Sequence, residues 1–166
     1  MMNIMRTLKH LFYPGWWLRR DFPAGELAKI ESAIQASESK HRGEIRFAIE
    51  SSLPMKALWR DELIQERAIE VFSLLRVWDT EDNNGVLIYL LLADKKVEIT
   101  ADRNINKVVA RKEWQRICEH MEAHFRAERF GEGVVTGIDE IGSLLEKHFP
   151  SNPNDKNELS NKPVIL

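Results

Sequence analysis

Residues Val86 to Ala93 form an unbroken apolar run, Val-Leu-Ile-Tyr-Leu-Leu-Leu-Ala, with a polar turn at either end. The run is too short for a buried or membrane-spanning helix, and its length is that of a strand. A strand that faces water on one side alternates apolar and polar residues; this one does not, so both of its faces must be covered. It therefore predicts a central strand with packing layers above and below. Upstream, Asn83-Asn84-Gly85 is a turn sequence. Downstream, Ala93-Asp94-Lys95-Lys96 reads as a tight turn into a strand where Val97, Ile99 and Ala101 alternate with Glu98, Thr100 and Asp102. A connection this short allows only antiparallel pairing.

Ile45, Phe47 and Ile49 alternate with Glu44, Arg46, Ala48 and Glu50 in another strand. A helical segment separates it from the central strand, so these two should run parallel. Helices surround the strands. One follows Pro23 with Leu27, Ile30 and Ile34 on its apolar face; a long one opening at Pro54 buries Ile64, Ala68, Val71, Phe72 and Leu75. Two more close the chain, striped by Trp114, Ile117, Cys118, Met121 and Phe125 and by Val134, Ile138, Ile141 and Leu145. The prediction is a three-layer α/β/α sandwich whose small mixed sheet has a parallel first pair and an antiparallel hairpin. Its limits are residues 23–149, within the size range of one domain for a chain of 166 residues. Residues 150–166, rich in Ser, Asn, Pro and Asp, read as a disordered tail. Residues 1–22 form a basic amphipathic arm with Ile4, Met5, Leu8, Leu11 and Phe12 at helical spacing.

The order of these segments resembles the TPM domain family. The resemblance is carried by Asn83-Asn84-Gly85-Val86-Leu87-Ile88 leading into Lys96-Val97-Glu98-Ile99, and by Gly43-Glu44-Ile45-Arg46-Phe47-Ala48-Ile49 and Arg67-Ala68-Ile69-Glu70-Val71-Phe72 upstream. It covers roughly Phe22 to Phe149. It implies the α/β/α sandwich and, as in some relatives, a divalent cation, often calcium, together with a weak acid phosphatase activity. The chain departs from the family where the third strand usually runs into Gly-Tyr-Gly-Leu-Glu and a later Thr-Asp; here it ends in Ala101-Asp102-Arg103-Asn104-Ile105.

The residues themselves single out the loop before the central strand. Asp79, Glu81, Asp82 and Asn84 supply the oxygen atoms that a hard cation, calcium or magnesium, requires. Hairpin geometry brings Asp102 toward the same loop, and Glu44 could reach the same edge. The spacing is not that of an EF-hand, because Leu91 falls where the bidentate glutamate should stand. In a phosphoryl-transfer reading, Asp79, Asp82 and Asp102 hold the cation and Arg103 clamps the phosphate. No nucleophile signature accompanies it. Cys118 lies on an apolar stripe, and His120 and His124 read as surface or boundary residues.

The arm carries Phe12, Trp16 and Trp17 beside Arg19 and Arg20, with no acid before Asp21. Two roles fit: docking back onto the core through the three aromatics, or weak contact with a membrane surface or a partner protein. Trp59, Trp78 and Trp114 are expected to be packed. A net charge of -2 gives no pull toward nucleic acid. With a single cysteine and no segment resembling a signal peptide or membrane helix, the expected location is cytoplasmic, with a peripheral membrane role in the second arm reading. Three functions remain open: a cation-binding interaction module, a metal-dependent phosphatase, and a peripheral membrane protein.

Overall fold

The computed structural model describes residues 3–60 and 62–166. The first two residues of the arm lie outside them. Four strands form one mixed sheet in the order β3-β2-β1-β4. The central strand β2 (Gly85–Leu91) pairs parallel with β1 (Glu44–Glu50), setting Glu44 opposite Gly85. It pairs antiparallel with β3 (Lys96–Ala101), setting Leu91 opposite Lys96. The connection is a 3-10 turn, Leu92–Asp94, closed by Lys95 in the left-handed region at φ 50°.

Both faces of β2 are buried, as its unbroken run requires. Val86, Ile88 and Leu90 belong to one core with Ile45, Phe47 and Ile49 of β1. Helices α3 (Ala24–Glu38), α7 (Arg111–Arg126) and α8 (Phe130–His148) complete that side through Ile30, Ile34, Ile117, Met121, Phe125, Ile138 and Ile141. On the other side Leu87, Tyr89 and Leu91 pack with Ala57, Leu58, Ala68 and Val71 from α4 (Met55–Trp59) and α5 (Ile64–Leu74). This is the three-layer sandwich. The expected long helix after Pro54 is in fact two, α4 and α5, with a non-helical break between them. Trp114 is core, whereas Trp59 and Trp78 are exposed; each flanks a helix end rather than its buried stripe.

The tail corrects the expectation of disorder. Its end, Val164–Ile165, is β4, parallel to Ala48 and Ile49 of β1. Two β1 side chains hold the approach: Glu44 Oε2 accepts the Leu159 N–H at 3.0 Å, and Arg46 donates to the Ser160 and Lys162 carbonyls. The tail is held by hydrogen bonds to a sheet edge that would otherwise be unpaired and by Leu159, Val164 and Leu166, which pack against the core on the α4 and α5 side.

The arm forms α1 (Ile4–Leu11) and α2 (Trp16–Asp21), and α1 docks by its polar side. A single carboxylate, Asp94 in the hairpin turn, meets Arg6 Nε at 3.1 Å, His10 Nε2 at 3.1 Å and Lys9 Nζ at 3.6 Å. His10 Nδ1 accepts the Leu53 N–H at 2.9 Å, and Arg6 also reaches the Glu62 carbonyl. Docking through Phe12 and Trp16 is not what occurs: they are 74% and 63% exposed, and only Trp17 of the three aromatics is half-buried. The arm's apolar anchors are instead Leu18 and Phe22.

Burial alone would raise the Asp94 pKa, but bonding and attraction from His10 and Arg6 outweigh it and bring the value from 3.8 down to about 2. A carboxylate depressed in the folded state stabilises above its unfolded value and loses that contribution as pH falls through the folded one. Asp94→Asn should therefore cost about 2 kcal/mol at neutral pH. The difference from the parent should shrink below about pH 4 and vanish only below about pH 2. Chemical denaturation across that range checks it, and a pH-independent difference would contradict it.

Candidate functional site

The loop from Asp79 to Asn84 is built around Thr80. Its carbonyl accepts the Asn83 N–H at 3.3 Å and its buried hydroxyl accepts the Asn84 N–H at 3.1 Å. Asn83 adopts φ 49°, a left-handed conformation that asparagine tolerates better than most residues. Gly85 then starts β2 in contact with Val77: a Cβ there would overlap the Val77 carbonyl oxygen.

The hairpin does bring the end of β3 to this loop. The Asp102 N–H donates to the Gly85 carbonyl at 2.8 Å, and the Asn104 N–H donates to the Asn83 carbonyl at 3.3 Å. Asn104 Nδ2 donates to the Asp82 carbonyl. β1 closes the third side, where the Glu44 N–H donates to the Asn84 carbonyl and Asn84 Nδ2 donates to the Arg42 carbonyl. Three backbone pieces thus meet at one sheet edge.

Their carboxylates do not all follow. Asp79 is exposed and bonds to Arg76 at 2.6 Å, one turn earlier. Glu81 is exposed, and its N–H donates to Glu158 of the tail at 2.9 Å. Asp82 is exposed with Arg42 NH1 3.5 Å away. Asp102 caps the short helix α6 (Arg103–Asn106), accepting the Arg103 N–H at 2.6 Å through Oδ1. Arg103 itself is exposed. Among the described residues no three acidic, histidine or cysteine side chains form a group fit to hold a metal. The five-residue ligand set therefore does not assemble as one shell.

What remains is smaller and more specific. Asn84 Oδ1 and Asp102 Oδ2 are both shielded from solvent and have no hydrogen-bond partner. A buried polar oxygen without a partner is costly, and such atoms are rare. Asp102 donates its N–H to Gly85, and Asn84, the residue before Gly85, has its amide turned to the Arg42 carbonyl. Oxygen acceptors of this kind suit a hard cation that completes its shell with water.

Glu44 faces away from this edge toward the tail, and burial raises its pKa. Glu38 beside it bonds to the Ile45 N–H at 2.8 Å, yet burial pushes it up to about 8. Burial likewise drives the Cys118 thiol up to about 12, which makes it a poor nucleophile. His120 and His124 meet Glu140 and Glu132 at the surface and do not share a site.

Sequence reasoning passed over Arg42, Asn104 and Glu158. The register that sets Glu44 opposite Gly85 places Arg42 beside the loop, and neither a polar Asn104 nor a tail glutamate stands out without the fold. A buried network was also missed at the opposite end of β1. There Glu50 accepts both Arg67 Nε at 2.9 Å and Arg67 NH2 at 2.8 Å, and Tyr89 donates to it at 2.5 Å.

Comparison with known proteins places this arrangement. The family model of the TPM domain, under the name TPM phosphatase, matches residues 22–144. Among solved structures, the chain is similar to the BA42 protein of the psychrophilic bacterium Bizionia argentinensis. They are 33% identical over 86% of this chain and 94% of that one, with a TM-score of 0.76. It also shares its fold with the N-terminal domain of a protein from P. gingivalis, at 19% identity, a TM-score of 0.59, and coverage of 71% and 72% of the two chains. No curated protein matches.

Proposed function

The chain belongs to the TPM domain family, and from that premise we propose that it is an interaction module that takes up one divalent cation, calcium or magnesium, where the Asp79–Asn84 loop meets the end of β3. The observation that carries this reading is the pair of shielded, unpartnered oxygens, Asn84 Oδ1 and Asp102 Oδ2. Asp82, exposed at the same edge, adds a charge that can swing toward an ion. The Asp79 carboxylate is engaged by Arg76, and Glu81 is exposed with its N–H turned to Glu158, so both act as an electrostatic surround. Waters would fill the rest of the shell, so affinity is expected to be modest.

Calcium titration read by melting temperature tests it. A ligand at a hundred times its dissociation constant stabilises the fold by about 2.7 kcal/mol. Asp82→Ala removes an exposed side chain at little structural cost and should weaken binding about tenfold, taking one charge from an oxygen-ligand site. No melting shift at millimolar calcium, or an equal shift in Asp82→Ala, would defeat the proposal.

A second reading, metal-assisted hydrolysis of phosphomonoesters, is favoured by the family name and by two guanidinium groups near the loop, Arg42 and Arg103. The cation would supply charge neutralisation, and Arg103, exposed at the start of α6, would hold a phosphate oxygen. Turnover of p-nitrophenyl phosphate that persists in Asp79→Ala and Asp82→Ala would remove this site from that reaction.

A further inference from the structure

We infer that the outward face of α1 is a docking surface for an anionic lipid bilayer. The inference is independent of the cation site and rests on the helix's orientation. At about 100° per residue, Ile4, Met5, Leu8, Leu11 and Phe12 fall within an arc of about 120°, with Arg6 and His10 on the opposite side. An amphipathic helix on a core normally buries the apolar arc. Here the polar side is held inward by Asp94, Leu53 and Glu62, and the apolar arc faces solvent: Met5 is 80% exposed, Ile4 66% and Leu11 55%. Trp16, just after Pro14-Gly15, is exposed as well.

Charge selects the occupant. The exposed ionised side chains of residues 3–20 are basic, namely Lys9, Arg19 and Arg20. The first acid of the described arm, Asp21, has a side chain only 7% exposed and is paired with Arg20 at 2.8 Å. A second copy related by a two-fold axis would set this basic margin against itself, which repels. A negatively charged bilayer neutralises it, while the apolar arc enters the acyl boundary and the Trp16 indole sits at headgroup level. No helix among the described residues is long and apolar enough to cross a membrane, so the attachment is peripheral.

The test uses the full chain, vesicles of phosphatidylglycerol or of phosphatidylcholine alone, and a chelator throughout, so that a cation bridging protein and lipid cannot contribute. Expected are flotation and a blue-shifted tryptophan emission with phosphatidylglycerol vesicles. Binding should fall about fivefold for each basic residue removed in Arg19→Gln and Arg20→Gln. The pair Leu8→Glu/Phe12→Glu should reduce it at least about tenfold. These side chains are exposed, and circular dichroism should show the fold intact. If that pair unfolds, Ile4→Ser/Met5→Ser replaces it. Absence of binding to anionic vesicles, equal binding to neutral ones, or binding unchanged in both pairs overturns the inference. A dimer in sedimentation that Leu8→Glu/Phe12→Glu disperses, without vesicle binding, overturns it in favour of a second copy.

Discussion

Gly85→Ala should cost about 4 kcal/mol, roughly a third or more of the stability of a domain this size. The cause is local and rigid. The added methyl group would overlap the carbonyl oxygen of Val77 and crowd its side chain. A side-chain neighbour could swing away, but Val77 is fully buried and its N–H is bonded to Phe72 at 3.0 Å. Gly85 cannot retreat either. It is paired to Glu44 on one side, and its carbonyl accepts from Asp102 on the other. Relief requires moving either the central strand or the turn after α5. The melting temperature should fall by about 10 °C or more. Gly25→Ala is the control, since nothing lies within 4 Å of a Cβ built there in α3, and it should be neutral or slightly stabilising. Similar melting temperatures for Gly85→Ala and the parent would show that Val77 has room to yield.

The second large effect is expected at Arg67. Its guanidinium grips both oxygens of Glu50, which is 5% exposed, and the Tyr89 hydroxyl donates to the same carboxylate. This network ties α5 to β1 and β2 on the side of the sheet covered by α4 and α5. Arg67→Met preserves much of the buried stem but leaves a carboxylate in a low-dielectric setting without its cation. Breaking a buried pair in this way costs about 3–5 kcal/mol. Removing both charges, as Glu50→Leu/Arg67→Met, should recover most of the stability, because desolvation of the pair offsets much of its attraction. Urea denaturation of the two single variants and the double variant measures the coupling. Additive losses would mean that Glu50 and Arg67 act separately.

Much of the fold was legible because strand and helix periodicities report burial directly. The uninterrupted Val86–Leu91 segment announced a strand enclosed on both faces, and its residues divide between the two cores as that requires. The hairpin into Val97 followed from a short turn, and it correctly carried Asp102 to the loop before β2. The break between α4 and α5 was hidden because apolar spacing continues across it. The last strand was hidden for another reason: Val164 and Ile165 are two apolar residues behind a polar tail, and only the free edge of β1 makes them a strand.

At the candidate site, the meeting of backbone segments could be read, but the direction of the side chains could not. Asp79 turns to Arg76 and Asp82 toward Arg42, and those preferences are settled by neighbours within a few ångströms. The arm shows the same division most sharply. Its heptad-like apolar spacing specifies an amphipathic helix but is silent on which side faces inward.

The alternation of burial along the chain, a local property, determined the strands, the helices and the layers they form. Orientation was decided only in three dimensions. Asp94 lies 88 residues from Arg6, and by holding the basic side of α1 it turns the apolar side to solvent. Asp102 comes beside Gly85 only when β3 folds back along β2, and the Asn84 amide meets the Arg42 carbonyl only when β1 lies on the other side. Charge pairing and desolvation act through space, so no reading of neighbours along the chain contains them.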